Sequence, residues 1–512
     1  MRFLSAEPKI RLTKTFSTPF RNVVATAKTC YSSKGIVEDA NVGEREQFGP
    51  LAQSIYEAGH HTTFQHAHFQ FAMENISRQF IWSFLHSHPF YNSEQVSQRY
   101  VHVKPETAFV PDLPAHQLSI YRECLQMQFD AYEILCKMLE GPTRSEFYKR
   151  FNFSERMKDR HERTIKKKSQ EAARYVLPVA TFAYLYHTVS GITLLRYWRA
   201  CQQQDVPGEQ RFVVERMVEE LLAQDRDYEI TLQEPLPPDA FPEHLFLAND
   251  PAQARDFCAE FDARLDGKFS QLAGHTSNAE EIVADSVREM LGLTRAQMSD
   301  QDAIELSCSP AKNKLLGESL NLSTVSKLTR ALHHPFFTFR KKLSHAADSQ
   351  DQRHRMTPGS RPFLSAHLHD QPDYITPMVV LSDAAVHRFY DETMARIWQK
   401  IAMLRAAGAP PEALVYLLPN AVSVRFTESS DYLNLRHKHQ MRLCYNAQEE
   451  IWQASVEEAA QVREVAPLLG RYLLPPCGVR SLAGQKPICP EGTRFCGVRV
   501  WKLDLKEYQR VI

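Results

Sequence analysis

Hydrophobic positions along the chain change period several times, and each change marks an element. Phe48 to Gly59 sets Leu51, Ile55 and Ala58 on one side at helical spacing and stops at a glycine, which predicts an amphipathic helix. Phe69-Gln70-Phe71-Ala72-Met73 alternates with period two, as a half-buried strand does. Arg21 to Tyr31 reads as a buried strand or the start of a helix, and residues 115–140 and 144–173 are helical in composition and spacing, closed by Pro178. The closely spaced prolines of 233–252 resist both helix and central strand and predict a linker. Residues 253–300 are charged and mostly helical in pattern. Beyond them Phe336 to Phe339 again reads as a strand, and Val422, Val424 and Phe426 alternate after Pro419. Ser429-Ser430-Asp431 then resembles a cap before one long helix. That helix would bury Leu443, Ala447, Ile451 and Ala454 and present Arg442, Asn446 and Glu449 on another face.

The second half echoes the first. The strand at Phe69 follows histidines, and so does the strand at Phe336, after His333-His334. Ile76-Ser77-Arg78 leads into a polar loop, as Leu343-Ser344-His345 does, and Leu177-Pro178 returns as Leu418-Pro419. Four features in the same order predict a tandem of one fold: residues 1–235, a linker at 236–280, and 281–512.

Charge and composition narrow the function. Sixty-one Lys and Arg against sixty-one Asp and Glu give no net charge, which disfavours a nonspecific nucleic-acid binder. Tyr175 to Leu195 carries no charged residue, but Pro178, His187 and Gly191 interrupt it, so a buried helix followed by a core strand is expected rather than a membrane span. No apolar run at Met1-Arg-Phe-Leu-Ser suggests a signal peptide, and ten scattered cysteines suit reduced thiols, so a cytoplasmic location is expected.

Candidate chemistry gathers at Gln350, Arg353-His354-Arg355 and Ser360-Arg361. Arginine is the side chain best suited to phosphate because its planar fork stays charged and donates in pairs. The stretch also reads as a solvated basic turn. Arg442 would be presented beside His437 and His439, unless it belongs to a surface salt-bridge stripe. Near the C-terminus Cys477, Cys489 and Cys496 each precede Gly or Pro, as in metal knuckles; they are candidate zinc or iron ligands with a fourth position unassigned, or an ordinary reduced loop.

On these residues the chain resembles a tandem of two flavin-dependent thymidylate synthase domains. That family's signature is Arg-His-Arg, seven residues and Ser, with Gln three residues ahead and Ser-x-Arg-Tyr at the end. The second half matches Gln350 and Arg353-His354-Arg355, but four residues separate Arg355 from Ser360, and Arg361 stands for the closing arginine. Ala447-Gln448-Glu449-Glu450-Ile451 matches a late family string, which puts Arg442 at the arginine that touches uracil. Asp431-Tyr432-Leu433 replaces the family's Asn-x-Arg. The first half keeps His60 and His66, Ser97-Gln98-Arg99-Tyr100 and Arg174, but has His86-Ser87-His88 for the signature and Cys201 for the uracil arginine. Val415 stands where the second half would carry its copy of Arg174.

The resemblance implies an α+β fold, an antiparallel sheet with long helices in each half. It implies reductive methylation of deoxyuridylate (dUMP) to thymidylate with methylenetetrahydrofolate, FAD and NADPH. Arg442 would be catalytic. Gln350, Ser97, Arg99, Arg174, Ser360 and Arg361 would hold substrate, and Arg353, His354, Arg355, His60 and His437 the flavin. A homodimer would imitate the family tetramer, without nucleic acid or membrane. A hydroxymethyl-transferring flavoenzyme or a non-catalytic nucleotide-binding homologue is the alternative.

Overall fold

The computed structural model describes residues 3–86, 88–105, 107–152, 155–203, 205–246 and 250–512. Ser87, part of the altered signature in the first half, lies outside the described residues.

Among the described residues, eight strands form two antiparallel sheets of four. β1 (Lys9–Thr15), β2 (His68–Ser77), β3 (Tyr91–Gln95) and β4 (Phe182–Ser190) are ordered β1-β2-β4-β3. β5 (Ser270–His275), β6 (Phe336–Ser344), β7 (Gly359–Ser360) and β8 (Ser423–Asp431) repeat that order as β5-β6-β8-β7. The alternation seen in sequence is the cause: Phe69, Phe71 and Met73 of β2, and Phe337 and Phe339 of β6, turn inward to full burial. The helices that frame the site are α1 (Arg78–Leu85), α2 (Ala115–Met138), α3 (Lys158–Ala173) and α4 (Pro207–Gln224) in the first half. In the second they are α5 (His345–Asp351), α6 (Ala384–Ala406), α7 (Tyr432–Arg442) and α8 (Glu449–Val465).

The halves meet about a pseudo-twofold seam. Pro178 bridges Pro419; Val179 N–H donates to Leu418 O, and Asn420 N–H donates to Leu177 O. The packing around the seam is reciprocal. Ser77 N–H and Oγ donate to Glu209, which also accepts from Tyr416 Oη of the other half. Ser344 N–H and Oγ donate to Glu450, which accepts from Tyr175 Oη. Ser77 and Ser344 are also the N-caps of α1 and α5. Each capping turn is thus tied to its partner half by a buried carboxylate. One hydrophobic core runs through both halves, from Phe69 and Val176 to Leu417 and Ile451.

Several expectations change. The stretch 236–280 is not a linker throughout: it holds the helix Pro251–Leu265 and β5, whose pairing with β6 makes it part of the second sheet. Within 175–195 the order is reversed, with strand β4 first and the helix Gly191–Arg199 after it; β4 buries one face and exposes Tyr184 and Tyr186 on the other, and an uncharged run of this kind does not tell a strand from a buried helix by composition. Among the described residues no helix is long and apolar enough to cross a membrane. Residues 144–173 are two helices, Glu140–Tyr148 and α3. The long helix expected after Asp431 breaks after Arg442 and restarts at Glu449, where Gln448 caps α8 by accepting from Ile451 N–H. Leu443, Ala447 and Ile451, periodic in sequence, therefore enter three different cores.

Candidate active site

The candidate site is assembled from α5, the end of α7, the loop before β4 and helix α3. Arg442, the last residue of α7, is half-buried rather than exposed. Its Nε donates to His354 Nε2 at 2.8 Å and its Nη2 donates to Gln350 O at 2.6 Å. His354 must then carry any ring proton on Nδ1, and burial, with Arg442 beside it, keeps it neutral by holding its pKa well below the usual value. Burial lowers Arg442 to about 10, with Arg99 and Arg353 adding to the effect and Asp351 opposing it. Both bonds use Nε and Nη2, which leaves Nη1 for a ligand.

Arg99 reaches the same neighbourhood from the first half. Its Nη2 donates to Asn446 O at 2.9 Å and its Nε to Glu171 at 2.6 Å. Ser97 Oγ accepts from Arg99 N–H and shapes that loop. Arg174 is buried, donates Nε to Glu171 O, and leaves its Nη2 without a protein partner. Burial opposes ionisation of Glu171, yet Arg99, Lys168 and Arg174 together hold it at about 2. Beside this group opens a cavity of about 480 Å³ that is shared by the two halves. Six cations, Arg99, Arg150, Arg160, Lys167, Lys168 and Arg494, line it against the carboxylates Glu171 and Glu491. Such a balance suits a phosphorylated ligand.

Arg353 and Arg355 leave α5 in another direction and lie on β3. Arg353 Nη2 meets both oxygens of Glu94 at 2.9 and 2.7 Å, and Arg355 sits 5.3 Å over the Tyr91 ring. They border a second cavity of about 440 Å³, with Gln70, Tyr91, Tyr186 and Thr188. The Arg353–Glu94 pair is exposed, 48% and 71% by side chain, so it contributes little and an incoming diphosphate can displace it.

Five expected site residues are placed otherwise. Arg361 is not free for substrate: it is 6% exposed, bonded to Asp348 at 2.9 Å and Glu428 at 3.4 Å, and stacked on Phe426. It belongs to a buried ionic cluster in which Lys341 meets Asp351 at 2.5 Å and Glu458 at 3.0 Å, and Lys438 meets Glu428 and Asp351. Trp82 Nε1 of the first half donates to Asp348 at 2.8 Å and closes that cluster. Ser360 is exposed on β7, where its Oγ bonds Thr427 O. His60 is exposed in the turn after Arg45–Glu57 and does not line the Arg353 cavity. His437 faces Asn321, with its ring 6.1 Å from that of His354. The Gln350 side chain turns back onto Ala346 O, so its backbone carbonyl is what faces Arg442. Asp431, in the place of the family's Asn-x-Arg, caps α7 by accepting from Asn434 N–H.

The sequence pointed neither to Glu94 and Glu171 nor to the α3 lysines. The run Lys166-Lys167-Lys168 was the available signal, but such a run ordinarily marks a solvated face. Cys477, Cys489 and Cys496 do converge, and Cys444 joins them around one small cavity.

The duplicated α+β chain places cavities lined by arginine and lysine at its seam, and such cavities suit a phosphorylated ligand. The family model described as "Thymidylate synthase complementing protein" matches residues 11–225 and again 271–468. The chain belongs to that family, the flavin-dependent thymidylate synthases, as a tandem of two copies. The flavin-dependent thymidylate synthase of Clostridium tetani is 28% identical over 202 residues, 39% of this chain and 76% of that protein. Its counterpart from Nitratidesulfovibrio vulgaris is 26% identical over 208 residues, 38% of this chain and 76% of that protein. Among solved structures, a UMP/dUMP methylase from Streptomyces cacaoi bound with 5-Br dUMP is 16% identical, covers 44% of this chain and 95% of that chain, and has a TM-score of 0.32.

Proposed function

We propose that this chain reductively methylates dUMP to thymidylate, taking the carbon from methylenetetrahydrofolate and electrons from NADPH, at one composite site per chain. The observation that supports this reading is the meeting of the halves around Arg442 and Arg99. Arg442 belongs to the second copy and is aimed by His354 and Gln350 O. Arg99 and Arg174 belong to the first copy and are gathered by Glu171. The two sets are joined through Asn446. Neither copy holds both, since Cys201 and Val415 occupy the matching positions.

Each group has a task in this reading. Arg99, Arg174 and Lys168 bind the nucleotide phosphate and fix its position, which converts binding into orientation. Arg442 Nη1 donates to the uracil carbonyl and stabilises negative charge as it develops on that oxygen. Neutral His354 holds Arg442 in place without adding repulsion. Arg353 and Arg355 suit the diphosphate of FAD, with Tyr91 and Tyr186 offering ring faces in the same cavity. Bound reduced FAD supplies the hydride. Two chains would bring together four domains, the number in the family tetramer.

The test is release of tritium to water from dUMP labelled at C5, with the purified chain, FAD, NADPH and methylenetetrahydrofolate. Release that needs all four supports the proposal, and its absence in flavin-loaded protein overturns it.

A further inference from the structure

Four cysteines from three separate segments meet at one place. Cys444 lies just past α7, Cys477 at the start of the helix Pro476–Leu482, and Cys489 and Cys496 in the loops that follow. All four line one small cavity. Every pair among them is close enough for one thiolate to disfavour another. Cys444 feels Cys489 and Cys496, Cys477 feels all three others, and Cys496 feels Cys489. None is in a disulfide.

Four thiols gathered around one small enclosed space are the donor set of a soft metal centre, which binds them as thiolates and releases their protons. The surroundings are those of a shielded centre: Pro475, Pro476, Val498, Val500 and Trp501 complete the wall, and Arg150 supplies positive charge near Cys496.

Spacing separates the kinds of metal centre. A tetrahedral zinc with bonds of about 2.3 Å sets its sulfurs about 3.8 Å apart. Among the described residues the one trio of metal-binding groups whose donor atoms all lie within 4.8 Å is Cys258, His369 and Asp373, so no three of the four sulfurs are that close. In that other trio Asp373 is already held by Arg425 at 2.6 Å. A cubane iron–sulfur cluster, with one iron per cysteine, spreads its four ligands more widely than a single ion does.

We propose that Cys444, Cys477, Cys489 and Cys496 ligate a [4Fe–4S] cluster. The cluster binds as four thiolates replace four thiols, with the protons released to solvent. Its cavity shares Tyr445, Asn446, Glu491, Phe495 and Cys496 with the cationic cavity at the seam. The cluster therefore fixes the 489–496 loop as a wall of that cavity.

The test uses the full chain, purified without oxygen and, where iron is low, reconstituted with equal amounts of ferrous and ferric iron and with sulfide. Iron and acid-labile sulfide should each reach about four per chain, with a paramagnetic resonance signal after one-electron reduction. Cys444→Ser should lose that signal and most of the iron. Cys124→Ser, a buried thiol elsewhere, should keep both and serve as the folding control alongside circular dichroism. One zinc per chain without sulfide would overturn the cluster in favour of a single ion. Protein that takes up no metal, or a Cys444→Ser variant with full cluster content, would also overturn it.

Discussion

Glu171→Gln tests the electrostatics of the composite site most directly. Glu171 accepts from Arg99 at 2.6 Å, lies 3.3 Å from Lys168, and its backbone carbonyl accepts from Arg174. Despite burial, those cations bring it from 4.5 to about 2. At about 1.4 kcal/mol per pKa unit, that shift corresponds to about 3 kcal/mol of native-state stability. Because the folded value lies below the unfolded one, the contribution is full above about pH 4.5 and is lost as pH falls towards 2. The Gln variant should therefore be about 3 kcal/mol less stable near pH 7, with the gap narrowing to about 2 kcal/mol by pH 3.5. Urea denaturation across that range, followed by intrinsic fluorescence, measures the gap. The variant also leaves three cations without their carboxylate, so inorganic phosphate should protect it more than wild type. An unchanged midpoint near neutrality, or a gap that stays constant down to pH 3.5, would refute the assignment of Glu171 as their counter-charge.

Arg442→Ala should lower turnover by roughly 100-fold or more while stability shifts by no more than about 2 kcal/mol, since losing two hydrogen bonds is offset by relief of a buried charge; steady-state kinetics and thermal melting give the two numbers, and near wild-type turnover would sink the role. Arg99→Ala should abolish tight dUMP binding although it lies in the other copy, and calorimetry on wild type should find one site per chain; two equivalent sites would favour independent halves. Burial raises Glu450 to about 7, so its folded value exceeds the unfolded 4.5 and stability should fall as pH rises between those values. Glu450→Gln should flatten that segment of the stability profile, and a profile of unchanged slope would contradict the burial argument.

What was legible in the sequence depended on whether a signal was local. β2 and β6 could be read because their inward faces alternate, and the repeat could be read because Ser77 and Ser344 perform the same two tasks, helix cap and carboxylate donor. The period through Leu443, Ala447 and Ile451 was real, yet it joined residues that point into three cores, and so Arg442 was misplaced on a helix face. Arg361 looked available because Asp348 and Glu428, which hold it, are far apart in sequence. Cys444 carried no spacing signal towards Cys477. Glu94 meets Arg353 only because β3 of one half faces the turn after α5 of the other.

The complementary losses in the two copies have a physical counterpart at matching carboxylates. Glu171 stands four residues before Tyr175, and Glu412 stands four before Tyr416. In the first copy the carboxylate is ionised and gathers Arg99, Lys168 and Arg174. In the second it accepts from the backbone N–H groups of Gly208 and Glu209 at the start of α4, and burial raises it to about 7. An arginine at Val415, which is fully buried, would find that carboxylate already engaged and only partly ionised near neutrality. Such an unpaired buried guanidinium costs several kcal/mol, so a valine there is the stable solution once Glu412 has become a helix cap. Restoring Val415→Arg alone should therefore destabilise the chain without creating a second nucleotide site. Calorimetry with dUMP on a folded Val415→Arg protein would refute this reasoning if it found two sites per chain.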